Sequence, residues 1–83
     1  MNREKAIIIF RCKKKNIDAD LEVPLDINTT ELLVALNAAF DLSVDTSDVK
    51  NCYLKAELPT VLLRGTKTLA ELGVRNGTVI NYT

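Results

Sequence analysis

Eighty-three residues leave room for one domain, and 47% hydrophobic content is enough to give it a core. Eleven Lys and Arg balance eleven Asp and Glu, and there is no His. The commonest general base and metal ligand is therefore missing, and two Cys cannot build a four-thiolate zinc or iron–sulfur site within one chain.

Taken in order, Ala6 to Lys13 is rich in β-branched residues and runs into a polar stretch, Lys13-Lys14-Lys15-Asn16, suited to a turn. From Ile17 the pattern alternates. Ile17, Ala19, Leu21 and Val23 share one face, and Asp18, Asp20 and Glu22 the other, which predicts a half-buried strand with an acidic, water-facing side. Pro24 cannot donate to a ladder and closes that strand. Asn28 with Glu31 three residues on reads as a capping box, flanked by Ile27 and Leu32 as a hydrophobic staple. Leu32, Leu36, Ala39 and Phe40 then recur at helical spacing, predicting a helix over Thr29–Phe40, followed by an acidic loop from Asp41 to Asp48. Asn51–Ala56 reads as a third strand with Cys52, Leu54 and Ala56 on one face. Pro59 separates it from a fourth, Val61–Arg64. Thr68 and Glu71 form a second capping box opening a single helical turn that Gly73 ends. Asn76-Gly77 is a turn before a last strand, Thr78–Tyr82.

Zero net charge hides an uneven layout: residues 1–15 carry net +5, residues 16–49 net −8 and residues 50–83 net +3. The plain explanation is a basic strand beside an acidic one. The functional one is an acidic face that steers a partner. A nucleic-acid reader would show a basic excess, so no nucleic acid is expected. The charged N-terminus and short apolar run Ala6–Phe10 do not fit a signal peptide. The expected compartment is the cytoplasm, with Cys12 and Cys52 reduced.

A hairpin, one helix and a return of strands predict an α+β fold in which one helix packs across one face of a mixed sheet of four to five strands, the β-grasp arrangement. Over nearly the full length the residues resemble ubiquitin-like proteins. Thr68-Leu-Ala-Glu-Leu-Gly-Val-Arg-Asn-Gly-Thr-Val-Ile-Asn-Tyr resembles that family's closing pattern, and Ala19, Leu21, Val23, Asn28, Leu32 and Leu36 fall at the spacing of its second strand and helix. The chain is similar in particular to the small bacterial YukD/EsaB proteins linked to type VII secretion, which share its length and its Gly-Val-Arg-Asn-Gly-like ending. Conjugating and sulfur-carrying ubiquitin-like proteins act through a tail ending Gly-Gly. No Gly follows Gly77 here, so neither role is expected.

No side-chain set reads as catalytic. Cys12 and Cys52 lack a His partner and sit in strand patterns as small apolar residues. Ser43, Thr46 and Ser47 have no accompanying base, and Asp41, Asp45 and Asp48 lack the Gly and closing Glu of a calcium loop. The run Lys13–Lys15 reads as a solvated hairpin tip, with contact to an anionic surface as the alternative. The candidate site is instead the outer face of the sheet. With Ile8, Phe10 and Cys12 turned to the helix, Ile7 and Ile9 turn away, and by the same alternation Tyr53 and Val79 face outward while Leu54, Ile80 and Tyr82 face in. Together Ile7, Ile9, Tyr53 and Val79 form a candidate apolar docking patch. The plainer readings are that Ile7 and Ile9 only supply β propensity, or that the buried face is the opposite one.

The expectation is thus a non-enzymatic protein without cofactor, metal or small-molecule substrate. The resemblance implies an accessory or regulatory component of a type VII (WXG-motif substrate) secretion system, with protein partners that include membrane components of the machinery. A ubiquitin-like domain of a larger membrane component is the second reading, and a sulfur or acyl carrier the third. The open sheet edges allow a monomer or a weak dimer.

Overall fold

The computed structural model describes residues 4–42 and 53–82. Within them lie β1 (Lys5–Cys12), a 3-10 turn (Lys13–Lys15), β2 (Ile17–Pro24), α1 (Thr29–Phe40), β3 (Leu54–Glu57), β4 (Val61–Leu63) and β5 (Val79–Asn81). The strands form one sheet in the order β2-β1-β5-β3-β4. β1 and β5 run parallel, and every other pair is antiparallel.

The opening hairpin forms because β1 and β2 each carry one apolar face and their connection tolerates a left-handed residue. Asn16 takes that conformation, with φ 54°. Its N–H donates to the Lys13 carbonyl at 3.3 Å. Helix α1 begins as its sequence signals. The Asn28 side chain accepts from the Glu31 N–H at 2.9 Å, and the Glu31 carboxylate accepts from the Asn28 N–H at 3.2 Å. At its other end Asp41 adopts φ 52° and donates its N–H to the Asn37 carbonyl at 2.8 Å, a left-handed cap made without glycine.

Ile8, Phe10 and Cys12 of β1, Leu32, Leu33 and Leu36 of α1, Leu54, Leu63 and Ile80 of the returning strands, and Leu69 are all buried in one cluster. The Phe10 and Phe40 rings sit 5.3 Å apart between centroids, tilted by 33°. The buried face of β1 is therefore the Ile8 face, and the alternative with Ile7 and Ile9 inside does not hold. Asp41 and Leu42, the described part of the loop expected from Asp41 to Asp48, lie outside helix and strand, and Leu42 turns its side chain into the core.

Strand limits shift slightly. β3 extends through Glu57, β4 stops at Leu63, and β5 spans Val79–Asn81 rather than Thr78–Tyr82. Asn51 and Cys52 of the expected third strand, and the loop residues Ser43, Asp45, Thr46, Ser47 and Asp48, lie outside the described residues.

The second capping box is present. The Thr68 N–H donates to Glu71 Oε1 and the Glu71 N–H to Thr68 Oγ1, both at 3.1 Å. The Leu72 N–H reaches the Thr68 carbonyl at 3.1 Å, so the segment closes one helical turn, and Gly73 ends it with φ 88°. This turn is tied to the helix entrance by the Leu69 N–H on the Ile27 carbonyl (2.8 Å) and the Ala70 N–H on the Leu25 carbonyl (3.0 Å).

Candidate functional site

The backbone bonds fix how each strand presents its side chains. In β1 the odd-numbered residues bond toward β5: the Ile9 N–H to the Thr78 carbonyl, the Gly77 N–H to the Ile7 carbonyl and the Tyr82 N–H to the Arg11 carbonyl, each at 2.9 Å. The Ile7 N–H has no strand partner in line and donates to the Asn76 side-chain oxygen at 2.8 Å. Thr78 anchors the same turn. It is fully buried, donates its hydroxyl to the Leu58 carbonyl at 2.8 Å and accepts the Arg75 N–H at 3.0 Å. The rim of the sheet beside Ile7 is thus held by side-chain bonds where the ladder runs out.

The register sorts the outer face into rows. Ile7 lies opposite Glu22. Next come Asp20, Ile9, Val79 and Glu57 across β2, β1, β5 and β3. The following row is Asp18, Arg11, Asn81, Lys55 and Leu62. Ile7 is 53% exposed and Ile9 half-buried. Val79 is only 8% exposed and stands outside the helix-side cluster, so it backs the patch without offering much surface.

The structure brings Ile7, Ile9 and Val79 together and sets Tyr53 apart. Tyr53 is exposed but precedes β3, two residues beyond Lys55 and on the far side of the polar Arg11–Asn81–Lys55 row. Ile7 lies in the opposite direction, which separates the two by about 20 Å along the strands. The residue nearest Tyr53 in kind is one absent from the candidate patch: Leu62, 49% exposed and opposite Lys55. With Leu63 buried, alternation alone turns Leu62 outward. Leu58, 66% exposed at φ 61° in the β3–β4 turn, carried no such signal.

An open groove of 720 Å³ crosses this second region, lined by Arg11, Lys13, Lys55, Leu62, Asn81 and Tyr82. Around the first region the charges are mixed. Lys5 pairs with Glu22 at 3.5 Å and Arg11 with Asp18 at 3.6 Å, while Asp20 faces Ile9 and has no ion pair among the described residues. The outer face therefore presents aliphatic surface with the carboxylates of Asp20 and Glu57 in the Ile9 row and the cations of Arg11 and Lys55, beside Asp18, in the next.

Reactive chemistry is sparse. Cys12 is a free thiol buried in the core. Among the described residues no group of three or more His, Cys, Asp or Glu is placed to hold a metal, and no helix is long and apolar enough to cross a membrane. The Glu71 carboxyl is held below its ordinary pKa, first by the Thr68 N–H, then by the Thr68 hydroxyl, with a smaller contribution from Lys67. That group caps a turn and faces water.

Several solved structures share the architecture, three of them as follows. The C-terminal ubiquitin-like domain of mouse tubulin-specific chaperone e matches with a TM-score of 0.71 at 13% identity, over 98% of this chain and 87% of that one. A structure described as molecular mimicry of SUMO that promotes DNA repair gives 0.67 at 12% identity, over 96% and 94%. The ubiquitin-like domain of Plasmodium falciparum Dsk2 gives 0.60 at 12%, over 96% and 100%. At these identities the likeness concerns the fold, which is the ubiquitin-like β-grasp. No curated protein matches the sequence. The family model for YukD, a protein of the WXG100 protein secretion system, matches residues 7–81. With its β-grasp sheet and this match over most of its length, the chain belongs to the YukD family of the WXG100 protein secretion system.

Proposed function

We propose that the chain is a non-enzymatic accessory or regulatory component of the WXG100 secretion system that works by non-covalent protein–protein contact. Its docking surface is the outer sheet face around Ile7 and Ile9, with Val79 behind them and Tyr53 at a distant margin. The observation that carries this reading is Ile7: an isoleucine 53% exposed, beside half-buried Ile9, on the sheet face that no helix among the described residues covers. Contiguous exposed aliphatic surface on a small domain marks docking sites. The neighbouring carboxylates of Asp20 and Glu22 add steering toward a basic partner. A sequence without histidine supports binding over catalysis. The reading sets the protein in the cytoplasm, with membrane components of the secretion machinery as its partners and neither nucleic acid nor cofactor required.

The test is capture of purified secretion-system components by the immobilised protein, comparing the unaltered chain with Ile9→Glu. Ile9→Glu faces Asp20, so it replaces aliphatic surface by a second carboxylate while leaving the buried face intact. A folded Ile9→Glu variant that loses capture supports the surface; full capture by that variant overturns it.

A further inference from the structure

Among the described residues the sheet ends on two open edges that differ in kind. β4 offers three residues, whereas β2 offers eight, Ile17–Pro24. The Leu25 N–H donates to the Glu4 carbonyl at 2.9 Å, which fixes the phase of the β1–β2 ladder. Ile17, Ala19, Leu21 and Val23 exchange bonds with β1. The N–H and C=O groups of Asp18, Asp20 and Glu22 point away from the sheet, and no described residue pairs with them. Three consecutive outward donor–acceptor sets are what an added strand uses.

The side chains restrict who can use them. The backbone sites coincide with the three exposed carboxylates, so any residue placed opposite lies beside Asp18, Asp20 or Glu22 on the outer face. A second copy of β2 pairing antiparallel about Asp20 would set Asp20 against Asp20 and Asp18 against Glu22, a like-charge contact at every position. The two existing ion pairs are exposed and link only Asp18 and Glu22 to β1, and each carboxylate keeps acceptor capacity for another cation. On the helix side Ile17, Ala19 and Leu21 are half-buried, so their flank offers apolar contact to a neighbour.

We propose that the β2 edge is a strand-addition site for an extended basic segment of a protein partner. The segment carries Lys or Arg at every second position to meet Asp18, Asp20 and Glu22, with aliphatic residues between them against Ile17, Ala19 and Leu21. The inference uses the backbone edge and stands whether or not the Ile7–Ile9 face is itself a docking surface.

The experiment uses the full chain and three labelled peptides of equal length, measured by fluorescence anisotropy at low salt. One alternates Lys and Val, one has the same composition with its lysines in a block, and one alternates Glu and Val. The alternating Lys/Val peptide is expected to bind about tenfold or more tightly than its block isomer and to slow amide exchange at Asp18, Asp20 and Glu22. Asp20→Lys should weaken it about fivefold or more. Asp20→Pro removes an outward N–H while sparing the β1 ladder, and in folded form should abolish the exchange protection. If Asp20→Pro does not fold, Asp20→Lys and the exchange map decide. Equal binding of the block isomer, protection elsewhere on the sheet, or no binding of the alternating peptide would overturn the proposal.

Discussion

Neighbouring isoleucines in β1 should respond oppositely to one substitution. Ile7 is 53% exposed and Ile8 fully buried, so lysine at each position probes the two sheet faces one residue apart. At Ile8 the ammonium would enter the cluster of Phe10, Leu54 and Ile80 with no carboxylate available there. An uncompensated buried charge costs about 3–5 kcal/mol, and the lost isoleucine burial adds about 1.5–3 kcal/mol. A domain of 83 residues has about 4–12 kcal/mol in all. Ile8→Lys should therefore lose a large share of that stability and melt far below the parent. At Ile7 about half of the burial contribution is at stake, roughly 1 kcal/mol. The new ammonium faces Glu22 across the hairpin, a pairing that returns about 0.2–1 kcal/mol. The net change should fall below about 1 kcal/mol, a melting shift of at most about 4–8 °C. Circular dichroism melts of both variants decide the matter. An Ile7→Lys variant that unfolds, or an Ile8→Lys variant that melts like the parent, refutes the assignment of faces.

Other outcomes follow from the caps and turns. Asn28→Ala removes the acceptor for the Glu31 N–H and should cost about 1 kcal/mol, read as a lower urea midpoint with unchanged slope. Glu71 is held below its ordinary pKa by Thr68, so its stabilising contribution is full above the unfolded carboxylate value and is lost as pH falls through the lower folded one. A Glu71→Gln variant should accordingly show a flatter acid limb in stability against pH, and an unchanged limb contradicts the cap. Gly73→Ala should destabilise more than Gly77→Ala, since both need φ 88° but only at Gly73 would the added methyl meet Pro59 Cγ, at 3.3 Å. Equal chemical-denaturation midpoints would count against that contact.

The helix was legible because Asn28, Glu31 and the apolar spacing agree, and the hairpin because β2 alternates without interruption. Leu42 escaped notice because its burial depends on a left-handed Asp41 turning the chain back toward the core, and nothing local in an acidic stretch signals that. Buried Thr78 was equally hidden. Its partners are Arg75 and, twenty residues away, the Leu58 carbonyl, a contact made only once the sheet is assembled. For the outer face, alternation assigned Ile7 and Ile9 to a side, but which rows share neighbours depends on register between distant strands. That register brings Val79 beside Ile9, leaves it almost covered, and carries Tyr53 to the other end. The free β2 edge likewise emerges only from strand order, because β5 inserts between β1 and β3.

On the proposed function, this protein serves secretion through the Ile7–Ile9 face. The most direct measurement is export of WXG100 proteins by cells in which the chain is replaced by Ile9→Glu, with the variant's level and melting temperature matched to the parent. Export should fall to the level of cells lacking the protein; export at the parental level would contradict a docking role for this face.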